Sequence, residues 1–163
     1  MTACSVRRLG GADIGGYRAM NALFAEVFAM PDEYLGAIPG DDYCRAWLAN
    51  DCNIALLAES GGEVVGALAG YRLDKFEQAR SEPYIYDLAV KEACRRRGIA
   101  SALIEAMREI ARDAGAWTIF VQADTAPEDE PAIALYRKFA RDQITALHFD
   151  ISPSPIVSPP RLR

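Results

Sequence analysis

The apolar residues of the chain change period several times, and each change marks an element. From Ile99 they recur at helical spacing, with Ile99, Leu103, Ala106 or Met107, Ile110 and Ala114 on one face and Glu105, Arg108, Glu109 and Arg112 on the other. Gly115 ends that run, where a left-handed residue is commonly needed. Before it, Tyr84 to Val90 reads as a strand of aromatic and aliphatic residues with one acid inside, Asp87, which alternation places on the face of Ile85 and Ala89. After it, Ala116 to Ala123 reads as another strand, so a helix crosses between two strands that should run parallel. Upstream, Ser5 to Leu9 is a short strand closed by Gly10-Gly11. Asp13 caps a helix to about Met30, whose stripe Tyr17, Met20, Leu23, Phe24, Val27 and Phe28 is core. Pro31 to Gly40 reads as a loop, and Asp41 or Asp42 caps a second short helix to Ala49.

Asn53 to Glu59 and Glu63 to Tyr71 form a hairpin about Ser60-Gly61-Gly62. Its second strand carries Gly66, Ala67, Ala69 and Gly70, which let another group approach the backbone closely. Asp74 to Glu82 is polar. Downstream, an acidic loop spans Asp124 to Glu130, and Pro131 opens a helix at the first position, with Asp129 or Glu130 as cap. Ile144 to Ile151 reads as a last strand with Leu147, Phe149 and Ile151 on one face and His148 and Asp150 on the other. Residues 1–151 form one domain in this reading, and 152–163, with four prolines, a flexible tail.

Composition narrows the chemistry. The 163 residues, about half of them hydrophobic and a quarter charged, suit one soluble domain with a sizeable core. The net charge of −5 argues against nucleic acid as a partner and is compatible with a cationic one. No apolar run approaches the roughly 20 residues of a membrane span, and the N-terminus lacks an apolar signal core. A cytoplasmic location is therefore expected. Cys4, Cys44, Cys52 and Cys94 show no Cys-x-x-Cys pairing, and with His148 the only histidine no metal site is expected.

The most informative segment is the basic turn Arg95-Arg96-Arg97-Gly98-Ile99-Ala100-Ser101 between strand and helix. Free N–H groups and the positive dipole end of a helix attract phosphate, and Gly98 lets the ligand approach the backbone. The turn lacks the Gly-Lys-Ser/Thr of a P-loop and the Gly-x-Gly-x-x-Gly of a dinucleotide fold. An ordinary surface turn is the alternative. Arg95-x-x-Gly98-x-Ala100 after Leu88-Ala-Val90, with Ala134-Leu-Tyr136-x-Lys138 further on, resembles the acetyl-CoA loop and the Ala-Leu-Tyr-x-Lys-x-Gly helix of the GNAT superfamily of N-acetyltransferases. Ala140 stands where that helix usually has its glycine.

The resemblance covers nearly all of the chain before the tail. It implies an α/β GNAT fold: a mixed, mostly antiparallel twisted sheet, a parallel crossover from the fourth strand through a helix to the fifth, splayed strands, and about four flanking helices. Lys75-Phe-Glu-Gln-Ala-Arg-Ser-Glu82-Pro-Tyr-Ile-Tyr-Asp87-Leu-Ala-Val90, with Val121-Gln-Ala-Asp124 and His148-Phe-Asp150-Ile, further resembles the aminoglycoside 3-N-acetyltransferases of the gentamicin-resistance type.

That resemblance implies acetyl-CoA as cofactor and a cationic aminoglycoside as acceptor. The backbone of Leu88, Ala89 and Val90 would pair with the pantetheine arm, and an N–H near Leu88 or Ala89 would polarise the thioester carbonyl. The N–H groups of Arg96, Arg97, Gly98, Ile99, Ala100 and Ser101 would cradle the pyrophosphate, with charge from Arg95, Arg96 and Arg97. Tyr136 would protonate the leaving thiolate, a group of similar basicity. Asp87, costly inside an apolar strand unless partnered, would take the proton of the acceptor amine; a structural aspartate paired with backbone or an arginine is the alternative. Glu82, Asp124 and Asp150 join Asp87 as acids for a polycation, and His148 is a second candidate base. A homodimer, with the last strand and tail packing between chains, is compatible with the resemblance. Two other functions fit the same residues: acetylation of a polyamine or other small amine, and a non-catalytic acyl-CoA-binding regulator.

Overall fold

A computed structural model describes residues 4–154. The sheet has five strands in sequential order: β1 (Cys4–Arg8), β2 (Asn53–Ser60), β3 (Glu63–Asp74), β4 (Ser81–Val90) and β5 (Phe120–Val121). The first four pair antiparallel, and β4 pairs parallel with β5. The helices are α1 (Ile14–Val27), α2 (Pro31–Leu35), α3 (Asp41–Ala49), α4 (Ile99–Asp113) and α5 (Glu130–Tyr136). This is the expected GNAT architecture, with the α4 crossover where periodicity placed it.

Two cores sandwich the sheet. On one face, Tyr17, Met20, Leu23 and Phe24 of α1 and Cys44 and Leu48 of α3 meet Ala55, Leu57, Ala67, Ala69 and Ala89. On the other, Ile99, Leu103, Ile104 and Met107 of α4 meet Ile54, Leu56, Ala58, Leu68, Ile85 and Val90. Strand alternation sorts β2 between them, odd residues to α1 and even ones to α4. The close approach expected at the small residues of β3 is that of α4 and of the neighbouring strand: a Cβ at Gly66 would stand 2.9 Å from Ile99 Cγ2, and one at Gly70 2.5 Å from the Tyr84 carbonyl oxygen.

Local signals largely hold. The Asp13 side chain caps α1, accepting from Gly16 N–H at 2.9 Å. Gly61 and Gly62 take positive φ in the hairpin, and Gly115 does so after α4.

Five local expectations need correction. The segment 31–40 is not all loop: Pro31 with Asp32 and Glu33 starts α2, a proline and two acids in a first turn where both favour a helix. No aspartate side chain caps α3, whose N-cap is Gly40. In α5, Pro131 stands second, after Glu130, and Asp129 is the N-cap without a side-chain bond. The strand expected at 116–123 contracts to Phe120–Val121; outside it, Trp117 N–H donates to the Ser81 carbonyl and Tyr84 Oη donates to Gln122 Oε1 at 2.9 Å. No strand forms over 144–151, where Ile144, Leu147, Phe149 and Ile151 are exposed, because so short a β5 offers the next strand almost no edge to pair with. Of the tail, Ser152 to Ser154 are described; the remainder lies outside the described residues.

A sixth correction bears on function. The β3–β4 register slips between Ala69, opposite Asp87, and Gly70, opposite Ile85, so Tyr86 is an extra residue. Beyond this bulge the faces exchange. Ile85 packs towards α4, whereas Asp87 and Ala89 face α1 and α2. Asp87 thus shares a face with Ala89, as expected, but not with Ile85.

Candidate active site

Strand β4 carries the site, and its two edges differ. Towards β3 it is laddered from Ser81 to Val90, while towards β5 only Tyr84 and Ile85 pair. Among the described residues Leu88, Ala89 and Val90 therefore have no strand partner on the β5 side, and a free strand edge is a template for amide groups of an extended ligand. The Val90 carbonyl is taken by Arg95 Nε at 3.3 Å, which ties the basic turn back to the strand end.

The turn itself is curled. Arg96 and Gly98 both have positive φ, 63° and 80°, and a non-glycine residue in that region stores strain. Gly98 is the N-cap of α4 with no side-chain cap, and the first helical bond is Ala102 N–H to the Gly98 carbonyl. The N–H groups of Ile99, Ala100 and Ser101 are therefore left to a ligand. Nothing lies within 4 Å of where a Gly98 Cβ would stand, so the surface over the turn is open. Arg95, Arg96 and Arg97 are exposed around it. A pyrophosphate fits this donor set: unpaired N–H groups at a helix start with two free guanidinium groups beside them.

Asp87 lies half-buried about three residues up the same strand. Burial raises its pKa, while a hydrogen bond from Tyr34 opposes the rise; Tyr34 Oη donates to Asp87 Oδ2 at 3.0 Å. Tyr34 comes from α2, and its own pKa is pushed up, first by burial and then by the nearby carboxylate. Tyr136, at the end of α5, packs beside the α4-side core, and its pKa is raised by burial, then by the charges of Asp129 and Asp87. It remains protonated at neutral pH and close enough to Asp87 to feel its charge. Asp87 thus adjoins the free edge of β4 on the α1 and α2 side of the sheet, while Tyr136 packs on the α4 side.

The other acids are placed differently. Glu82 sits at the start of β4, roughly 16 Å along the strand from Asp87, with Lys75 Nζ 3.5 Å away. Asp124 is exposed in the segment after β5. Asp150 is exposed and 3.1 Å from His148 Nε2, which is exposed as well. Among the described residues no cluster of His, Cys, Asp and Glu could hold a metal ion, and no helix is long and apolar enough to cross a membrane.

An aromatic run escaped the sequence reading. Tyr17, Trp47, Tyr71, Tyr86, Tyr84 and Phe120 follow one another at centroid spacings of 4.6–6.2 Å across the sheet beside Asp87. The alternation Tyr84-x-Tyr86 was visible, but the bulge that aims Tyr86 and Asp87 to one side was not. Tyr34 carries no such signal in the sequence, since it stands in a Pro- and Gly-rich segment that reads as a loop but begins a helix.

Known proteins resemble this chain in sequence and fold. Residues 19–140 match the acetyltransferase (GNAT) family. An aminoglycoside acetyltransferase from an uncultured soil metagenomic sample is 51% identical, with a TM-score of 0.90 over 93% of this chain and 99% of that one. A second aminoglycoside acetyltransferase from such a sample, solved in complex with sisomicin, is 27% identical, with a TM-score of 0.79 over 91% and 97%. The N-acetyltransferase 8B of Rattus norvegicus is 29% identical over 84 residues, 52% of this chain. The match spans only 38% of that protein's length.

Proposed function

The chain belongs to the acetyltransferase (GNAT) family, and from that premise we propose that it transfers the acetyl group of acetyl-CoA to the 3-amino group of gentamicin-type aminoglycosides, a resistance activity. The observation that carries the reading is β4, which offers a free backbone edge for an extended cofactor and, at the adjoining residue Asp87, a half-buried carboxylate for the amine. The 51% identity to an aminoglycoside acetyltransferase supports the acceptor class, and the motif from Lys75 to Val90 supports the 3-amino position.

Acetyl-CoA would supply the acetyl thioester. The backbone at Leu88 to Val90 would hold its pantetheine arm, and the α4 start with Arg96 and Arg97 its pyrophosphate. Asp87 binds the acceptor ammonium and takes its proton, directly or through water. Burial raises its pKa, which brings it nearer the range useful to a base. An N–H of the free β4 edge stabilises negative charge on the thioester oxygen. Tyr136, protonated by virtue of its raised pKa, gives its proton to the departing thiolate. Glu82, Asp124 and Asp150 are proposed contacts for further ammonium groups.

A thiol-release assay with acetyl-CoA and a panel of gentamicin, kanamycin, tobramycin and spermidine tests the reading. Turnover of gentamicin with acetyl on the 3-amine is expected. Turnover of spermidine alone would replace the acceptor with a polyamine, and binding of acetyl-CoA without turnover of any amine would favour a regulatory module.

A further inference from the structure

We propose that Tyr34 is a positioning residue for Asp87: its hydroxyl holds one carboxylate oxygen so that the other, Oδ1, is presented to the acceptor amine. The inference rests on Asp87 being the proton acceptor and adds a residue from a different part of the chain, 53 positions away.

The geometry is directional. Tyr34 donates to Oδ2 at 3.0 Å, and among the described residues Oδ1 has no protein hydrogen bond. A carboxylate fixed through one oxygen cannot rotate freely about its last bond, so the free oxygen keeps one aim. The tyrosine is itself held. Its ring packs 5.6 Å from that of Phe24 and 6.0 Å from that of Phe28, centroid to centroid, and those two stack on each other. Its helix follows α1 after a sharp reversal at Ala29, with φ of 54°, braced by the Met30 N–H on the Ala25 carbonyl. A phenol on a rigid aromatic mount is what keeps a donor at a fixed point.

No cation competes for this carboxylate within the described residues. The groups that feel its charge are tyrosines: Tyr34 from α2, Tyr71 from β3, Tyr84 from β4 and Tyr136 from α5, with Glu33 and Tyr86 near Tyr34. Burial raises the Asp87 pKa and the Tyr34 bond is the one contact that lowers it. Without that hydroxyl the carboxyl should take a proton at higher pH and lose its aim together.

The test is Tyr34→Phe, which keeps the ring. Acetyl-CoA affinity should be unchanged, and kcat/KM for gentamicin at neutral pH should fall about tenfold. The acid limb of the pH profile should move to higher pH, so that part of the loss is recovered on raising the pH. A carbon-13 titration of the Asp87 carboxyl in the full chain should show the same upward movement without relying on activity. Phe28→Leu, which loosens the mount but keeps the hydroxyl, should give a smaller loss in the same direction. An unmoved acid limb and an unmoved carboxyl titration in Tyr34→Phe, whatever its melting temperature, would overturn the proposal and leave Asp87 as base untouched. Wild-type turnover in Asp87→Asn would instead remove the base on which it rests.

Discussion

The two ends of the site are built by different means. The proposed phosphate end is local: a strand, a basic turn and a helix, with backbone N–H groups as donors and Gly98 in a conformation that glycine adopts freely. The proposed catalytic end is assembled from distant pieces: Asp87 on a bulged strand, Tyr34 from a short helix 53 residues away, and Tyr136 from a helix beyond the crossover. Backbone chemistry tolerates many side chains, whereas side-chain chemistry depends on each group being aimed. Substitutions at the two ends should therefore fail in different ways.

The largest effect is expected at the turn. Gly98→Asp puts a negative charge where the pyrophosphate is proposed to bind, and nothing of the protein lies within 4 Å of the new Cβ. Acetyl-CoA binding should become undetectable by calorimetry while circular dichroism stays that of the wild type, since aspartate tolerates positive φ at a cost of roughly 1 kcal/mol. Unchanged affinity would dissolve the distinction between the ends. Tyr136→Phe should lower kcat by about tenfold to a hundredfold with acetyl-CoA affinity intact, because the ring stays and only the proton donor goes.

The smallest effect is on stability. The folded pKa of Asp87 is raised, so the native state holds its proton more tightly than the unfolded chain does. That contribution is fully present below the ordinary carboxylate range and is lost as pH rises through the raised value. At neutral pH Asp87→Asn should therefore melt at or a few degrees above the wild type, and this advantage should shrink on acidification. A variant that melts lower at neutral pH would mean the carboxylate serves the fold rather than a substrate.

The same contrast governs what could be read from the chain. The α4 stripe, the Gly61-Gly62 hairpin, the Asp13 cap and the turn at Gly98 were legible because each is written in a few consecutive residues. Asp87 was legible as an acid out of place. Its true face was not, since strict alternation puts it with Ile85 and only the mismatch of β3 against β4 reverses that. Tyr34 was hidden for a related reason: a tyrosine in a Pro- and Gly-rich stretch gains its meaning from a partner that pairing brings to it. The run from Ile144 to Ile151 shows the converse, a clean alternation that formed no strand because its neighbour β5 is two residues long.

The most direct test measures two quantities on one sample of Asp87→Asn, the acetyl-CoA dissociation constant and kcat on gentamicin. A dissociation constant equal to that of the wild type, with kcat lower by about a hundredfold or more, is the predicted result. A kcat close to that of the wild type, or a loss of cofactor binding in step with it, would contradict a catalytic end built around Asp87.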